Sequence, residues 1–97
     1  MDDLQNAPVK RRILCVDDEP NILSSLRRLF RSKGYDVIIA NSGHEGLITL
    51  ETEKVDLVIS DMRMPIMDGA AFLEKVRARW PDLIRILLTG YADMQST

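Results

Sequence analysis

The sequence has a single cysteine, Cys15, so it can form neither an internal disulfide nor a cysteine-based metal site. No apolar run approaches the about 18 residues that a membrane-spanning helix needs, and the polar, acidic N-terminus lacks the apolar segment of a secretory signal. These absences argue against a disulfide scaffold and a membrane protein. We therefore expect a cytoplasmic protein in which Cys15 is a small buried apolar side chain.

A basic surface for nucleic acid is also missing. The 97 residues carry 13 Lys and Arg against 15 Asp and Glu, for a net charge of −2. Local basic spots at residues 10–12 and 27–28 are expected to be solvated surface, because net charge bears on association rather than on fold. We expect no direct nucleic-acid binding and no membrane binding. With 45% hydrophobic and 29% charged residues, the chain is typical of one globular domain.

Short apolar runs alternate with amphipathic segments along the chain. Strands are predicted at residues 12–16, 35–40, 55–60 and 83–89, and helices at 20–34, 43–54 and 70–80. Alternation of this kind is typical of a doubly wound parallel α/β sheet with helices on both faces. Residues 1–10 are predicted to be a flexible N-terminal segment.

Acidic side chains follow two of the predicted strands. Asp17 and Asp18 come directly after the first strand, and Asp61 closes the third. An acid next to a buried strand is costly unless water or a cation reaches it. Since the carboxyl ends of parallel strands meet at one edge, we expect Asp17, Asp18 and Asp61 to converge there. Thr89, at the end of the fourth strand, is predicted on the same rim.

The converging carboxylates have a chemistry of their own. They repel one another, and a hard divalent cation such as Mg²⁺ relieves this repulsion while still binding phosphate oxygens. An aspartate beside such a cation can act as a nucleophile and accept a phosphoryl group. Asp61 is therefore the candidate reactive group. The hydroxyl of Thr89 and the main-chain amides near Gly90 are candidate donors to the new phosphoryl oxygens.

Each acid also has a purely structural interpretation. Asp17 or Asp18 can be the N-cap of the first helix, since aspartate is a preferred residue there. Asp61 can simply begin a turn. Asp68, which precedes Gly69, is expected to be a helix cap rather than a ligand for the same reason.

Four motifs resemble the response-regulator receiver domains of two-component signalling. They are Val-Asp-Asp-Glu-Pro at residues 16–20, Asp-Met-Arg-Met-Pro at 61–65, Met-Asp-Gly at 67–69 and Leu-Leu-Thr-Gly at 87–90. The resemblance covers approximately residues 11–95. It implies a flavodoxin-like receiver fold in the order βαβαβαβ, with the family's fourth helix, fifth strand and fifth helix missing. Residues 11–97 then form a partial receiver domain.

The resemblance assigns a metal site and a reaction. Asp61 would be the phosphoacceptor and a ligand of Mg²⁺. Asp18 would bind the ion directly, Asp17 through water, and Arg63 through its main-chain carbonyl. A sensor histidine kinase or a phosphotransfer protein would donate the phosphoryl group. The chain would be a signalling phosphoacceptor that controls a downstream output, not an enzyme.

The resemblance also assigns residues that respond to phosphorylation. Thr89 would be the switch hydroxyl, with Gly90 beside it at the phosphate. Arg63 and Tyr91 occupy two positions that flank the phosphoryl group in the family. Both side chains are bulky, so we expect them to obstruct the water that hydrolyses the phospho-form.

One departure from the family supports a second interpretation. Receivers carry a phosphate-binding lysine at their fifth strand, and here no lysine follows the fourth strand. We expect a C-terminally truncated domain whose fourth strand exposes Ile84, Ile86 and Leu88 at an open edge. Such an edge predicts a homodimer or domain-swapped self-association. The alternative function is thus a receiver-like dimerisation module that is not competent for phosphorylation-driven switching.

Two other classes fit less well. A haloacid-dehalogenase-type phosphatase needs a second acid two residues after the nucleophile, where Arg63 stands. A dinucleotide-binding domain needs a glycine-rich loop after the first strand, and none is present. The segment 85–93 is similar to receivers joined to AAA+ transcription activators or to cyclic-dinucleotide phosphodiesterases.

Overall fold

A computed structural model of the chain describes residues 10–89. Within this range strands and helices alternate strictly, as predicted. The elements are β1 (Arg12–Val16), α1 (Pro20–Ser32), β2 (Asp36–Ala40), α2 (Gly43–Thr52), β3 (Leu57–Asp61), α3 (Gly69–Arg79) and β4 (Ile84–Leu88). Gly90 and Tyr91 lie outside the described residues, and so does the predicted flexible segment except for Lys10.

The strands form one parallel sheet in the order β2-β1-β3-β4. This confirms the predicted doubly wound, flavodoxin-like fold for the part of the chain that the structure covers. The first strand, β1, lies in the interior of the sheet, with β2 paired on one side of it and β3 on the other. The carboxyl ends of all four strands therefore lie along one edge.

The two faces of the sheet carry different amounts of core. The face covered by α2 and α3 holds the larger cluster, with Leu14, Val16, Ala40, Leu50, Val55, Val58, Met64, Phe72 and Val76 all buried. The face covered by α1 buries only Ile13, Cys15, Leu23 and Ile59. Cys15 is fully buried, as predicted, and burial raises the pKa of its thiol to about 11.

Local signals in the sequence explain where the helices begin and end. Pro20 occupies the first turn of α1, where its fixed φ suits the helix and no amide hydrogen is needed. At the other end Gly34 has a φ of 94°, and the amide of Tyr35 donates to the Phe30 carbonyl. This arrangement is a Schellman motif, which favours glycine. The hydroxyl of Ser42 caps α2 by accepting from the Glu45 amide.

Strand β3 begins at Leu57, two residues later than predicted. Before it, Asp56 links to β1 in both directions: its amide donates to the Arg12 carbonyl, and its carboxylate accepts from the Arg12 amide, each at 2.9 Å. Val55 is nevertheless buried, with 8% of its surface exposed. The apolar run therefore identified a core segment correctly but placed the start of the strand too early.

Strand β4 is an edge of the described sheet. It pairs with β3 on one side, and no strand among residues 10–89 pairs with its other side. Its apolar side chains are incompletely covered, with Ile84 63% and Ile86 40% exposed. The prediction of an exposed edge is thus confirmed for these residues. None of the helices in this range is long and apolar enough to cross a bilayer.

Candidate functional site

The parallel register of the sheet places Asp17 and Asp61 side by side. Val16, the last residue of β1, lies beside Ser60 of β3. Neighbouring parallel strands advance in the same direction, so the next residue of each strand comes to the same edge. That residue is Asp17 on one strand and Asp61 on the other. The Asp17 amide also donates to the Ala40 carbonyl at the end of β2, which holds the chain at this edge.

Asp18 completes a cluster of three carboxylates. One oxygen from each of Asp17, Asp18 and Asp61 lies within 4.8 Å of the others. The three residues differ in exposure: Asp17 is buried, with 4% of its surface exposed, Asp61 is half-buried, and Asp18 is exposed. Such a gradient leaves one side of the cluster open to solvent and to a ligand. The convergence that the sequence predicts is therefore present.

The buried position of Asp17 makes its negative charge costly. Burial is the main cause that raises the pKa of Asp17, and the negative charges of Asp61, Asp18 and Glu19 raise it further. A hydrogen bond from the Glu19 amide to the Asp17 carboxylate, at 2.9 Å, opposes this shift. The carboxylate is therefore held in place, and its negative charge is only partly compensated.

Neither Asp17 nor Asp18 is the N-cap of α1. The cap residue is Glu19, and its side chain makes no capping hydrogen bond. The prediction that Asp17 or Asp18 is the N-cap of this helix is therefore wrong. Asp68, by contrast, is a helix cap as predicted, since its carboxylate accepts from the Ala71 amide at 2.8 Å.

The donor set fits a small divalent cation. Mg²⁺ is bound in proteins by one or two carboxylates together with waters and phosphate oxygens. Here a buried and a half-buried carboxylate face an exposed one, so Asp18 and the solvent side can complete the coordination. Positive charge at this point would offset both causes that raise the pKa of Asp17.

The loop after Asp61 is held against the strand ends by main-chain hydrogen bonds. The Met62 amide donates to the Leu88 carbonyl at 3.0 Å, and the Gly69 amide donates to the Met62 carbonyl at 2.8 Å. Met64 is buried in the core with 8% exposure. The start of α3 approaches so closely that a Cβ on Gly69 would collide with the Asp61 carbonyl. Gly69 is therefore a positioning residue for Asp61.

Ile66 in the same loop has an unusual conformation. It is the only non-glycine residue among residues 10–89 with a positive φ, at 70°. The Met67 amide donates to the Pro65 carbonyl at 2.7 Å and closes a three-residue turn around it. Left-handed backbone is strained for a β-branched side chain. Burial of the side chain does not offset this strain, because Ile66 is fully exposed.

Two further predicted site residues, Thr89 and Arg63, lie at the same edge. Leu88 lies beside Asp61 in the β3–β4 register, so Thr89 follows at the rim and is exposed. Arg63 lies in the loop directly after Asp61 and is exposed too. Ser60, which sequence reasoning missed, is fully buried, and its hydroxyl donates to the Asp61 carbonyl at 2.9 Å. A small polar residue within an apolar strand was the available signal.

Comparison with known proteins identifies the family. The family model of the response regulator receiver domain matches residues 13–97. The transcriptional regulatory protein GlrR of Escherichia coli K12 is 44% identical over 82 residues, which is 84% of this chain and 18% of GlrR. The hydrogenase transcriptional regulatory protein HoxA of Cupriavidus necator is 36% identical over 86% of this chain and 17% of HoxA. The chain thus spans less than a fifth of these relatives.

Solved structures show the same fold. An uncharacterised protein from Neptuniibacter caesariensis aligns with a TM-score of 0.83 and 44% identity, over 92% of this chain and 67% of that one. The response regulator protein TrrA from Thermotoga maritima, solved in complex with Mg²⁺-BeF, aligns with a TM-score of 0.82 and 38% identity, over 89% of this chain and 75% of that one.

The raised pKa of Asp17 predicts a pH dependence of stability. A raised carboxyl pKa contributes stability that is fully present below the unfolded value and is lost as the pH rises through the folded value. Without divalent metal, the free energy of unfolding should therefore fall as the pH rises from the ordinary value of 3.8 through the raised one. Asp17→Asn keeps the acceptor for the Glu19 amide and should lose this decline. Urea denaturation at a series of pH values, in the presence of EDTA, measures this decline in the free energy of unfolding.

The matched control for this experiment is Asp82→Asn, which removes the same charge away from the cluster. It should retain the decline seen in the wild type. If the free energy of unfolding changed with pH in the same way for the wild type and Asp17→Asn, the folded state would not disfavour the charged form of Asp17, and the interpretation would be wrong.

The backbone strain at Ile66 predicts a stabilising substitution. Asparagine tolerates left-handed backbone, which costs other side chains about 1–2 kcal/mol. Ile66→Asn should therefore raise the free energy of unfolding by about 1 kcal/mol in urea denaturation. Ile48→Asn, at an exposed helical position, should change it by less than about 0.5 kcal/mol. Equal effects at the two positions would rule out strain at Ile66.

Proposed function

Because this chain belongs to the response regulator receiver domain family of two-component signalling, we propose that Asp61 accepts a phosphoryl group with the help of Mg²⁺. The observation that carries the proposal is the convergence of Asp17, Asp18 and Asp61 within 4.8 Å at the carboxyl edge of the sheet. TrrA, solved with Mg²⁺-BeF, supports the same ion here.

The reaction uses Asp61 as the nucleophile. A carboxylate oxygen of Asp61 attacks the phosphorus atom, and the bond from phosphorus to the donor breaks, so the donor leaves with the bonding electron pair. The product is an aspartyl phosphate. A sensor histidine kinase or a phosphotransfer protein is the proposed donor. Asp61 suits this role because it is half-buried, and Gly69 and the Met62 hydrogen bonds fix its main chain.

The proposed ion would be held by Asp17, Asp18 and Asp61, with the Arg63 carbonyl as a further ligand. When bound, Mg²⁺ supplies positive charge that stabilises the negative phosphoryl oxygens during transfer. The hydrogen bond from the Glu19 amide fixes the orientation of the Asp17 carboxylate. The proposed contribution of Asp17 to the ion site is chiefly its negative charge. The Asp18 carboxylate faces solvent, where the donor must approach.

Thr89 and Gly90 are the proposed response elements. Thr89 follows Leu88, which pairs with Asp61, so its hydroxyl belongs to the edge where the new phosphoryl group would form. A hydrogen bond from that hydroxyl to the phosphoryl group would couple phosphorylation to the position of the chain after β4. We propose that this coupling controls the downstream output.

The proposed output is the control of transcription in the cytoplasm. The support is that GlrR and HoxA are transcriptional regulatory proteins, although the chain spans only 18% and 17% of them. The second candidate function is a dimerisation module that does not switch on phosphorylation. The exposed edge of β4 favours it.

Incubation with Mg²⁺ and acetyl phosphate tests the phosphoacceptor. Intact mass should increase by one phosphoryl group in the wild type, and Asp61→Asn should abolish the increase. Asp68→Asn is the matched control, because asparagine also caps helices well and the residue is bonded to α3. No increase in the wild type, or an increase that persists in Asp61→Asn, would contradict the proposal.

Thermal unfolding with and without Mg²⁺ tests the metal site. At a concentration ten times the dissociation constant, a bound ligand stabilises the folded state by about 1.4 kcal/mol. The wild type and Asp68→Asn should show this shift, whereas Asp18→Asn should show a smaller one. Removal of one charge from the cluster in Asp61→Asn should also stabilise the metal-free protein, by about 1 kcal/mol. Equal Mg²⁺ shifts in all variants would argue against these ligands.

Decay of the phospho-form tests the proposed role of Arg63, which Tyr91 is proposed to share. If the Arg63 side chain obstructs the attacking water, Arg63→Ala should shorten the lifetime of the phosphoryl group, followed by intact mass after the donor is removed. Arg77→Ala, which removes an arginine from the exposed surface of α3, should leave the lifetime unchanged. An unchanged lifetime in Arg63→Ala would refute this role.

A further inference from the structure

We propose that Ser60 is a positioning residue for the phosphoacceptor: its buried hydroxyl fixes the main chain of Asp61 and, through it, the direction of the Asp61 carboxylate. The inference rests on the proposed function, in which Asp61 accepts the phosphoryl group. Ser60 itself touches neither the ion nor the phosphoryl group, because its side chain has no exposed surface.

The first observation is the location of the buried polar side chains. Among residues 10–89 these are Asp17 and Ser60, which are 4% and 0% exposed. A buried polar group is costly unless it is hydrogen-bonded, and each of the two is bonded to a main-chain group. Ser60 lies directly before Asp61 and beside Val16, the residue before Asp17. Both buried polar side chains therefore lie at the acidic edge.

The second observation is the peptide group that follows Asp61. The Asp61 carbonyl and the Met62 amide belong to one planar unit. The Ser60 hydroxyl donates to the carbonyl at 2.9 Å, and the amide donates to the Leu88 carbonyl at 3.0 Å. The plane is thus held at both ends, by a side chain at one and by β4 at the other. Loss of the hydroxyl would leave the amide end as the remaining hydrogen bond of these two.

The third observation is the side of the sheet from which the hydroxyl acts. Val58 belongs to the cluster beneath α2 and α3, and alternate residues of a strand share a face. The Ser60 side chain therefore points to the α3 side, from which Gly69 also approaches the Asp61 carbonyl. Strand β3 lies between β1 and β4, so described strands flank Ser60 on both sides.

The hydrogen bond has a consequence for the reaction. Reacting groups must be held within about 10–20° of the productive geometry by the residues that support them. The peptide plane after Asp61 sets the direction in which the chain leaves the strand, and the carboxylate extends from the same residue. Without the hydroxyl, Asp61 should spend less time in the reactive orientation. The maximum rate of phosphorylation should fall, while the binding of a small donor on the open side should not change.

Variants that differ in the hydroxyl test this role. Ser60→Thr keeps the hydroxyl, whereas Ser60→Val has a similar shape without it, and Ser60→Ala removes it with little change in volume. Phosphorylation by acetyl phosphate with saturating Mg²⁺ is followed by intact mass. The maximum rate should fall about fivefold in Ser60→Ala and Ser60→Val, the typical effect of one hydrogen bond, and stay near the wild-type value in Ser60→Thr. The acetyl phosphate concentration at half-maximum rate should be the same in all.

The matched control is Ser32→Ala. It removes a hydroxyl that also donates to a main-chain carbonyl, that of Leu29 at 2.6 Å, on α1. Its maximum rate should equal that of the wild type. Circular dichroism checks that each variant is folded, and if Ser60→Thr does not fold, Ser60→Cys replaces it, because a thiol is a weak donor and should give a rate between those of wild type and Ser60→Ala. Equal rates in wild type and Ser60→Ala, or equal losses in Ser60→Thr and Ser60→Val, would overturn the proposal.

The amide resonance of Met62 separates this proposal from the proposed function. In ¹⁵N-labelled protein without metal or phosphoryl donor, this resonance should move in Ser60→Ala and Ser60→Val and stay near its wild-type position in Ser60→Thr and Ser32→Ala. The same displacement in Ser60→Thr and Ser60→Val would refute the positioning role even if the wild type is phosphorylated normally. A wild type that takes up no phosphoryl group would contradict the proposed function, and the Met62 resonance would still decide whether the hydroxyl holds the main chain.

Discussion

The parallel pairing of β1 with β3 is the constraint on which the rest of the site depends. Because Val16 lies beside Ser60, the residues that follow, Asp17 and Asp61, reach the same edge. A shift of one residue in either strand would turn Asp61 to the other face. The buried side chains of both strands prevent such a shift. Core packing and the position of the carboxylates are therefore specified by the same hydrogen-bonded ladder.

The acidic edge and the outer edge of β4 are the two places where the folded chain has unbalanced interactions. At the first, burial and like charges raise the pKa of Asp17, which favours a cation. At the second, main-chain groups and an apolar row lack a neighbour among the described residues. Thr89, which follows β4 directly, lies between the two places.

Sequence reasoning located most of the fold and the acids because both depend on local patterns. Apolar runs indicated the four strands, and Asp68 was correctly identified as a residue that begins a helix. It could not choose between a cap and a cluster for Asp17, because either use looks the same in a single sequence. It also missed Ser60 and the close approach of Gly69 to the Asp61 carbonyl, since both are contacts between different elements.

The sequence by itself determined the alternation of strands and helices, the family resemblance and the identity of the three acids, because these follow from periodicity and from short motifs. Only the tertiary structure decided which acid is buried and which is open, how Ile66 is held in a strained turn, and which face of β4 is left apolar and exposed. These properties depend on how separate elements pack against one another. No local pattern records that packing.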